Sequence, residues 1–205
     1  RDKPEAPAEP PLLPGTLPAR YPETLAALAG RGELVLLEET APMYYTGGVV
    51  IDRRLPDVYR DMHHLEGPPS ISRHYSMKVL EENENTARVR VRTVFHLMID
   101  FDAEVIADYV FQPPDRCIWT GRHGGDIEGV AGSWKLTALG EEQTLLLYRN
   151  TSDLKSQGFL MRRLLKIEPT FEQAIQACQT MYVVSDTRKY CEASADERQE
   201  MAAHD

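Results

Sequence analysis

Apolar and polar residues alternate with a period of two through most of the segment between residues 72 and 151, which is the spacing of half-buried β-strands. The clearest stretch, "TARVRVRTVFHLMI", places its three arginines on one face and most of its apolar residues on the other. The next stretch, "FDAEVIADYVFQ", has three acidic residues on its polar face. The two polar faces therefore predict ion pairs across neighbouring strands. The residues concerned are Arg88, Arg90 and Arg92, and Asp102, Glu104 and Asp108.

The same alternation predicts four further strands, separated by short turns. These strands are "SRHYSMKVLE", "CIWTGRH", "GVAGSWKLTAL" and "QTLLLYRNT". Six such strands in succession favour an antiparallel meander that has one buried face and one solvent-exposed face.

Ahead of the meander the pattern predicts two more strands and two short helices. "ELVLLEE" and "MYYTGGVVID" are the strands, and Gly47 and Gly48 in the second indicate a bulge or a close approach. "YPETLAALAGRG" indicates a helix, because a proline lies in its first turn and a glycine ends it. "RRLPDVYRDMHHLEG" indicates the other helix, since its apolar residues recur at helical spacing.

A long apolar stripe at helical spacing marks the C-terminal stretch "FLMRRLLKIEPTFEQAIQACQTMYVVSDTRK". The spacing continues on both sides of Pro169, so we expect one helix that bends where the proline removes a backbone hydrogen bond. A sheet with one apolar face needs a cover, and only this helix is long enough to provide it. The order of elements therefore predicts an α+β fold in which a curved antiparallel sheet wraps around one long helix. The space between sheet and helix is a candidate cavity.

Composition argues against several classes of function. The chain has 205 residues, a hydrophobic fraction of 42% and a formal net charge of -9. The acidic balance argues against nucleic-acid binding, because contacts with phosphates need a basic face. The sequence has no run of about 18 apolar residues and therefore predicts no transmembrane helix. It also has no metal-ligand or nucleophile motif, so we expect neither a metal nor another cofactor.

The three cysteines, Cys117, Cys178 and Cys191, do not have the spacing of a metal site. Free and mostly buried thiols are the favoured interpretation. A disulfide between one pair, in an oxidising compartment, is the alternative, and the sequence leaves both open.

The two ends of the chain differ from its middle. Residues 1–20 contain six prolines, which predicts an extended linker or tail. Such a stretch often follows a signal peptide or a lipid-anchor site, which favours an exported, periplasmic protein over a cytoplasmic one. An ordinary unfolded terminus is the alternative. We expect one domain over residues 21–192 and a flexible tail over residues 193–205.

This order of elements resembles the helix-grip fold of the START / Bet v 1-like / polyketide cyclase superfamily. Two stretches carry the resemblance: "VVIDRRLPDVYRDM", a strand that enters a short helix through a Leu-Pro step, and "GVAGSWKLTALGEEQTLLLY". The second is similar to the family's Gly-x-Trp strand, tight turn and apolar strand. The resemblance spans residues 32–190, and the elements before Val49 are more similar to START domains than to minimal cyclases. It implies a deep apolar cavity for a lipid, sterol, polyketide, quinone or hormone, and no shared catalytic motif.

With this resemblance, the inward side chains become candidate ligand contacts; without it, they would be interpreted as core filling. Arg122 and Asn150, near strand ends, are candidate polar anchors. Leu160, Leu164 and Pro169, in the front part of the final helix, are candidates for a gate. The candidate cavity-lining residues are Tyr75, Met77, Val91, Phe95, Val105, Tyr109, Phe111, Trp119, Trp134, Tyr148, Phe171, Ile175, Cys178 and Tyr182.

The leading hypothesis for function is a monomeric, START-like carrier or sensor that binds one hydrophobic molecule, such as a lipid or a sterol-like compound. Exchange of that molecule would involve transient contact with a membrane. One alternative is an aromatase/cyclase-type enzyme that acts on a polyketide through an inward Tyr, Arg or His. The lack of a buried histidine or carboxylate pair in the sequence pattern argues against it. The other alternative is a protein-interaction module with a filled core.

Overall fold

The computed structural model describes residues 35–40, 43–65, 75–96, 100–123, 125–154, 159–168, 170–194 and 196–198. The predicted linker over residues 1–20, the predicted helix over residues 21–32, Pro169 and residues 199–205 lie outside this description. Every strand predicted from the alternating pattern is present.

The strands form one antiparallel sheet of eight, in the order β1-β2-β8-β7-β6-β5-β4-β3. Strands β3 to β8 pair with their neighbours in sequence, which is the predicted meander. The two N-terminal strands join it through the pairing of β2 with β8. The strands are β1 (Val35–Thr40), β2 (Met43–Ile51), β3 (Tyr75–Glu82), β4 (Thr86–His96), β5 (Asp100–Gln112), β6 (Arg116–Gly121), β7 (Glu128–Ala138) and β8 (Thr144–Asp153).

The predicted ion pairs between β4 and β5 are present on the outer face of the sheet. Arg88 Nε lies 3.0 Å from a carboxylate oxygen of Asp108, its direct partner in the register. Arg90 reaches Glu104 at 3.2 Å along the diagonal, and Arg92 pairs with Asp102 in the same way. The guanidinium of Arg92 donates a hydrogen bond to Asp102, and this bond lowers the pKa of that carboxyl. Charges on this face match across strands, as the sequence predicted.

Strand β8 does not follow the predicted division into one buried and one exposed face. Its outward-facing Leu145 and Leu147 are as buried as its inward-facing Leu146 and Tyr148. The three consecutive leucines are a continuous apolar run, which is typical of a strand buried on both faces. The prediction of a solvent-exposed outer face is therefore wrong for this strand.

Among the described residues, the helices α1 (Leu55–His63), α2 (Phe159–Ile167) and α3 (Thr170–Glu192) accompany the sheet. The prediction of a single bent helix is wrong, because α2 and α3 are separate helices. The last turn of α2 closes with a hydrogen bond from Glu168 N–H to the carbonyl of Leu164, 3.0 Å long. The Thr170 hydroxyl then donates to the Glu168 carboxylate at 2.5 Å, at the start of α3. A proline at position 169 has no N–H to continue the helical hydrogen bonds, which explains the break.

Helix α3 packs mainly on β2 and β8, at one side of the sheet. Gly47 on β2 allows this approach, since a Cβ there would lie 2.7 Å from the Val184 side chain and 3.0 Å from that of Thr180. The sequence left open a bulge or a close approach at Gly47, and the structure shows a close approach. The inner faces of β4, β5 and β6 lie to the side of this contact. The space between them and α3 holds the cavities described next.

Candidate functional site

A larger cavity lies between the inner face of the sheet, α1 and the C-terminal half of α3. Its empty volume is about 570 Å³ when the solvent at its mouth is counted, and about 50 Å³ is available to the centre of a water molecule. Aromatic rings make up much of its wall, and its polar residues include Asp61 on α1, His64 just after α1, and Thr187 on α3. The lining consists of Asp61, Met62, His64, Leu65, Met77, Tyr109, Trp119, Trp134, Tyr148, Val183 and Thr187.

A smaller cavity lies beside it, toward the other end of α3. Its empty volume is about 400 Å³ with solvent counted, and about 20 Å³ is available to the centre of a water molecule. Its lining includes four uncharged polar side chains, and apolar side chains form the remaining wall together with two aromatic ones. The lining consists of Val91, Thr93, Val105, Ala107, Tyr109, Trp119, Ile127, Val130, Asn150, Ser152 and Gln179.

Tyr109 and Trp119 line both cavities and therefore form the partition between them. Their rings stack at a centroid distance of 5.7 Å, and Tyr148 stacks on the other side of Trp119 at 5.2 Å. The backbone of Gly132 lies directly against the indole. A Cβ at that position would be 2.2 Å from Trp119 Cζ2. Glycine on β7 thus sets the position of the partition.

The room within the two cavities decides what can enter them without rearrangement. One water needs about 10–15 Å³ of space for its centre, so the smaller cavity holds one or two waters and the larger a few. Ligand pockets offer about 300–1,000 Å³, far more than the 20 Å³ and 50 Å³ open to the centre of a water molecule here. Binding of a lipid-sized molecule therefore requires the partition or α3 to move, so that the two cavities join.

Buried polar atoms near the smaller cavity are only partly satisfied. The Gln176 side chain, 2% exposed, donates from Nε2 to the carbonyl of Ser152 at 2.8 Å. Within the described residues, neither Gln176 Oε1 nor Ser152 Oγ has a hydrogen-bond partner, although both atoms are buried. Asn150 is 4% exposed and lies on the same wall. We refer to Asn150, Ser152 and Gln179, which line the smaller cavity, as the amide end.

Charged side chains meet at the opposite end, beside the larger cavity. Asp61, whose side chain is 8% exposed, accepts hydrogen bonds from Arg53 at 3.0 Å and from Arg198 at 2.9 Å. Both arginines also donate to the carbonyl of Cys191 in the last turn of α3, at 2.6 and 3.1 Å. The Arg198 guanidinium lies 4.4 Å from the centroid of the Tyr190 ring. This cluster, the arginine clamp, ties α1 to the end of α3 and to the start of the segment predicted as a tail.

Several of the predicted cavity residues come together around the two cavities. Asn150, predicted as a polar anchor, lies at the amide end. The predicted residues that line the larger cavity are Met77, Tyr109, Trp119, Trp134 and Tyr148. Those that line the smaller cavity are Val91, Val105, Tyr109 and Trp119.

Three predicted site residues face solvent instead, and those predictions are wrong. Tyr182 is 52% exposed, and Cys178 is exposed on the same side of α3. The predicted apolar stripe was continued across the break before Thr170. The buried faces of α2 and α3 are not aligned across that break, so the stripe no longer follows the buried face in α3. Arg122 lies on the outer face of the sheet, where its Nε donates to Asp108 at 2.7 Å. Its position near a strand end gave no information about which face it occupies.

Other predicted residues are buried away from the cavities or lie outside the description. The Phe111 ring packs 4.1 Å from that of His63, under α1. Phe171 and Ile175 belong to a separate cluster with Leu154 and Leu165, between α2, α3 and the end of β8. Leu164 is half-buried on α2. The side chains of Tyr75, Phe95 and Leu160, and the whole of Pro169, lie outside the described residues.

The polar part of the buried face of α3 and the contribution of α1 to the cavity wall could not be predicted from the hydrophobic pattern. The buried face of α3 includes Gln176, Thr180 and Thr187. A stripe chosen for apolar side chains leaves these polar residues out. Met62 and Leu65 recur at helical spacing in the α1 stretch. That spacing indicated that they face the core, although nothing in the sequence placed them at a cavity.

The buried thiols do not supply a nucleophile. Burial raises the pKa of Cys117 far above its ordinary value, and burial, followed by the nearby Asp61 carboxylate, raises that of Cys191 to about 12. All three cysteines are free. The described part of the chain contains no cluster of side chains that could hold a metal ion. Of the helices within it, none has the length and hydropathy needed to cross a bilayer.

Comparison with known proteins relates the fold to solved structures. No protein-family model matches the chain, and no curated protein matches it. A protein from Thermus thermophilus superposes with a TM-score of 0.63 at 17% identity, covering 74% of this chain and 99% of that one. The Zhui aromatase/cyclase from a Streptomyces species has a TM-score of 0.54 at 13% identity, over 74% and 97% of the two chains. A STAR-related lipid transfer protein from Xanthomonas axonopodis has 0.53 at 10%, over 78% and 99%. The chain therefore has the α+β helix-grip fold that START lipid-transfer domains and polyketide aromatase/cyclases share.

Proposed function

We propose that this protein binds one hydrophobic small molecule, of lipid or sterol-like character, between its sheet and α3, as a carrier or sensor. The observation that carries the proposal is the pair of adjoining cavities, whose common partition is made of stacked aromatic rings. An apolar ligand would gain about 25 cal/mol for each Å² of surface removed from water. The lipid-transfer neighbours of the same fold support this ligand class.

Intrinsic fluorescence offers a direct test of occupancy. The chain has two tryptophans, and both Trp119 and Trp134 line the larger cavity. We expect titration with dodecanol or cholesterol to change the tryptophan emission with a saturable dependence on concentration. Native mass spectrometry of gently purified protein, followed by organic extraction, would show whether an apolar molecule co-purifies.

A matched pair of variants locates the binding event. Val183→Phe adds volume to the wall of the larger cavity, whereas Tyr182→Phe changes the adjacent, exposed position on the same helix. We expect Val183→Phe to weaken binding and Tyr182→Phe to leave it unchanged, with circular dichroism confirming that both variants fold. An unliganded protein whose fluorescence responds to neither compound would refute the proposal.

A polyketide aromatase/cyclase is the second candidate function, because two neighbours with that activity in their names match as well as the lipid-transfer structures do. Asp61 and His64 at the cavity wall are the residues that could transfer protons. Asp61 is paired with two arginines, Arg53 and Arg198, which favours a structural role. Conversion of a linear polyketide, lost on His64→Ala, would favour the enzyme over the carrier.

A further inference from the structure

Helix α2 is basic in a chain whose overall charge is acidic. Its sequence, "FLMRRLLKI", contains Arg162, Arg163 and Lys166 and no acidic residue. The whole chain, by contrast, has 23 basic and 32 acidic residues. All three basic residues of α2 are exposed. Within the described residues, neither Arg163 nor Lys166 forms an ion pair, so their charges are available to a partner.

The outward side of α2 also carries an exposed apolar side chain. Ile167 is 73% exposed, the largest exposed fraction among the large hydrophobic residues of the described part of the chain. Arg163, Lys166 and Ile167 are spaced i, i+3 and i+4, so they lie on one face of the helix, which we call the α2 face. Leu165 is on the opposite side, 3% exposed, in the cluster between α2, α3 and the end of β8. Packing of Leu165 therefore directs the α2 face toward solvent.

Cations and an exposed apolar side chain on one short face match the surface of an anionic membrane. At such a surface, guanidinium and ammonium groups lie among lipid phosphates, while an isoleucine side chain reaches the boundary of the acyl region. A nucleic-acid backbone would satisfy Arg163 and Lys166 but would leave Ile167 in water. The acidic remainder of the chain is repelled by an anionic surface, which limits the contact to α2 and orients the protein.

We propose that the α2 face docks this protein on the surface of an anionic membrane, with Arg162 beside it as a third cation. Each cation near such a surface raises the affinity about fivefold, so three cations and one isoleucine give weak, reversible binding that salt reduces. The bilayer then lies beside α2 and the N-terminal end of α3. Docking is independent of what the cavities bind, because none of these four residues lines either of the two cavities described above.

Co-sedimentation of the full chain with lipid vesicles tests the proposal. Vesicles of phosphatidylcholine and phosphatidylglycerol in equal parts are anionic, and vesicles of phosphatidylcholine alone are the neutral control. At low salt we expect the chain to bind the anionic vesicles at least about tenfold more tightly than the neutral ones. Added sodium chloride should reduce this difference. Binding to neither kind of vesicle, or equal binding to both, would overturn the proposal.

Paired substitutions assign the binding to the α2 face. Arg163→Gln combined with Lys166→Gln should lower the affinity for anionic vesicles about 25-fold, as the product of two factors of about five. Arg60→Gln combined with Lys78→Gln is the matched control, because it removes the same charge from exposed positions on α1 and β3. This control should bind nearly as well as the parent protein. Equal losses in both double variants would overturn the assignment to α2.

Ile167→Ser separates the apolar contribution from the electrostatic one. This variant should bind anionic vesicles more weakly while its salt dependence stays that of the parent, whereas Leu139→Ser, at a position 39% exposed, should bind as the parent does. An oligonucleotide that binds the parent but not the α2 double variant, with no binding to vesicles, would make the partner a nucleic acid and overturn the proposal. Dodecanol titration of the α2 double variant should match that of the parent, so loss of membrane docking leaves the proposed ligand binding intact.

Discussion

Gly132→Ala is the sharpest test of the partition between the two cavities. The added methyl carbon would lie 2.2 Å from Trp119 Cζ2 and 2.4 Å from the carbonyl oxygen of Arg149, whereas ordinary contacts begin at 3.4 Å. The indole would have to move away by about 1 Å. Overpacking a core costs about 1–3 kcal/mol, and a contact this short should cost an amount near the upper limit of that range. Trp119 has little freedom to do so, because it is 4% exposed and stacked between Tyr109 and Tyr148.

We therefore expect Gly132→Ala to lower the free energy of unfolding by about 3 kcal/mol or more. For a domain of this size that corresponds to a fall in Tm of about 6–12 °C. Thermal unfolding followed by circular dichroism measures the change. Gly140→Ala is the matched control, because a Cβ at Gly140 has no heavy atom within 4 Å. Its Tm should stay close to that of the parent protein.

A Gly132→Ala variant as stable as Gly140→Ala would refute this reasoning, because it would mean that the indole is free to shift. Tryptophan emission provides a second measurement. If the indole moves while the fold survives, the emission maximum should shift to longer wavelength as water reaches the ring. A destabilised variant with unchanged emission would place the strain in the β7–β8 backbone at Arg149 and leave the aromatic stack intact.

Three further predictions follow from burial and charge. Iodoacetamide should label Cys178 in the native protein but not Cys117 or Cys191, because the thiols of Cys117 and Cys191 are buried and burial raises the pKa of Cys191 to about 12. Mass spectrometry should count one adduct before the addition of urea and three adducts after it. Asp61→Asn should lower the free energy of unfolding by about 2–4 kcal/mol, since it leaves two partly buried arginines without their counter-charge, and urea titration measures the loss. Arg92→Ala breaks an exposed ion pair and should leave the midpoint of urea unfolding unchanged, because exposed pairs contribute little to stability. A loss of unfolding free energy as large as that of Asp61→Asn would contradict this expectation.

The sheet could be predicted from the sequence because its signal is local. In a strand, alternate residues face opposite sides, so the three arginines of β4 and the acids of β5 had to meet on one face. The same rule placed Met77, Tyr109, Trp119 and Tyr148 inward. Alternation does not show which inward side chains leave a space, because that depends on where α3 lies across the sheet.

The helical part of the site was less predictable, for two physical reasons. A proline at position 169 interrupts the helical hydrogen bonds, so the buried faces of α2 and α3 are set independently. A single stripe drawn through both helices therefore placed the exposed Tyr182 on the buried face. The second reason is that α3 buries Gln176, Thr180 and Thr187. A search for apolar periodicity treats such residues as surface, although hydrogen bonds make the burial of Gln176 and Thr180 tolerable. The polar part of the buried face of α3 therefore became visible only with the structure.

The arginine clamp makes the two ends of α3 mechanically unequal. At the C-terminal end, outward movement must pull the carbonyl of Cys191 away from Arg53 and Arg198. At the N-terminal end, Phe171 N–H donates to the carbonyl of Glu168 at 3.1 Å, and Ile175 packs with Leu154 and Leu165. Charged hydrogen bonds therefore fasten the C-terminal end of α3, whereas apolar packing contributes more at its N-terminal end.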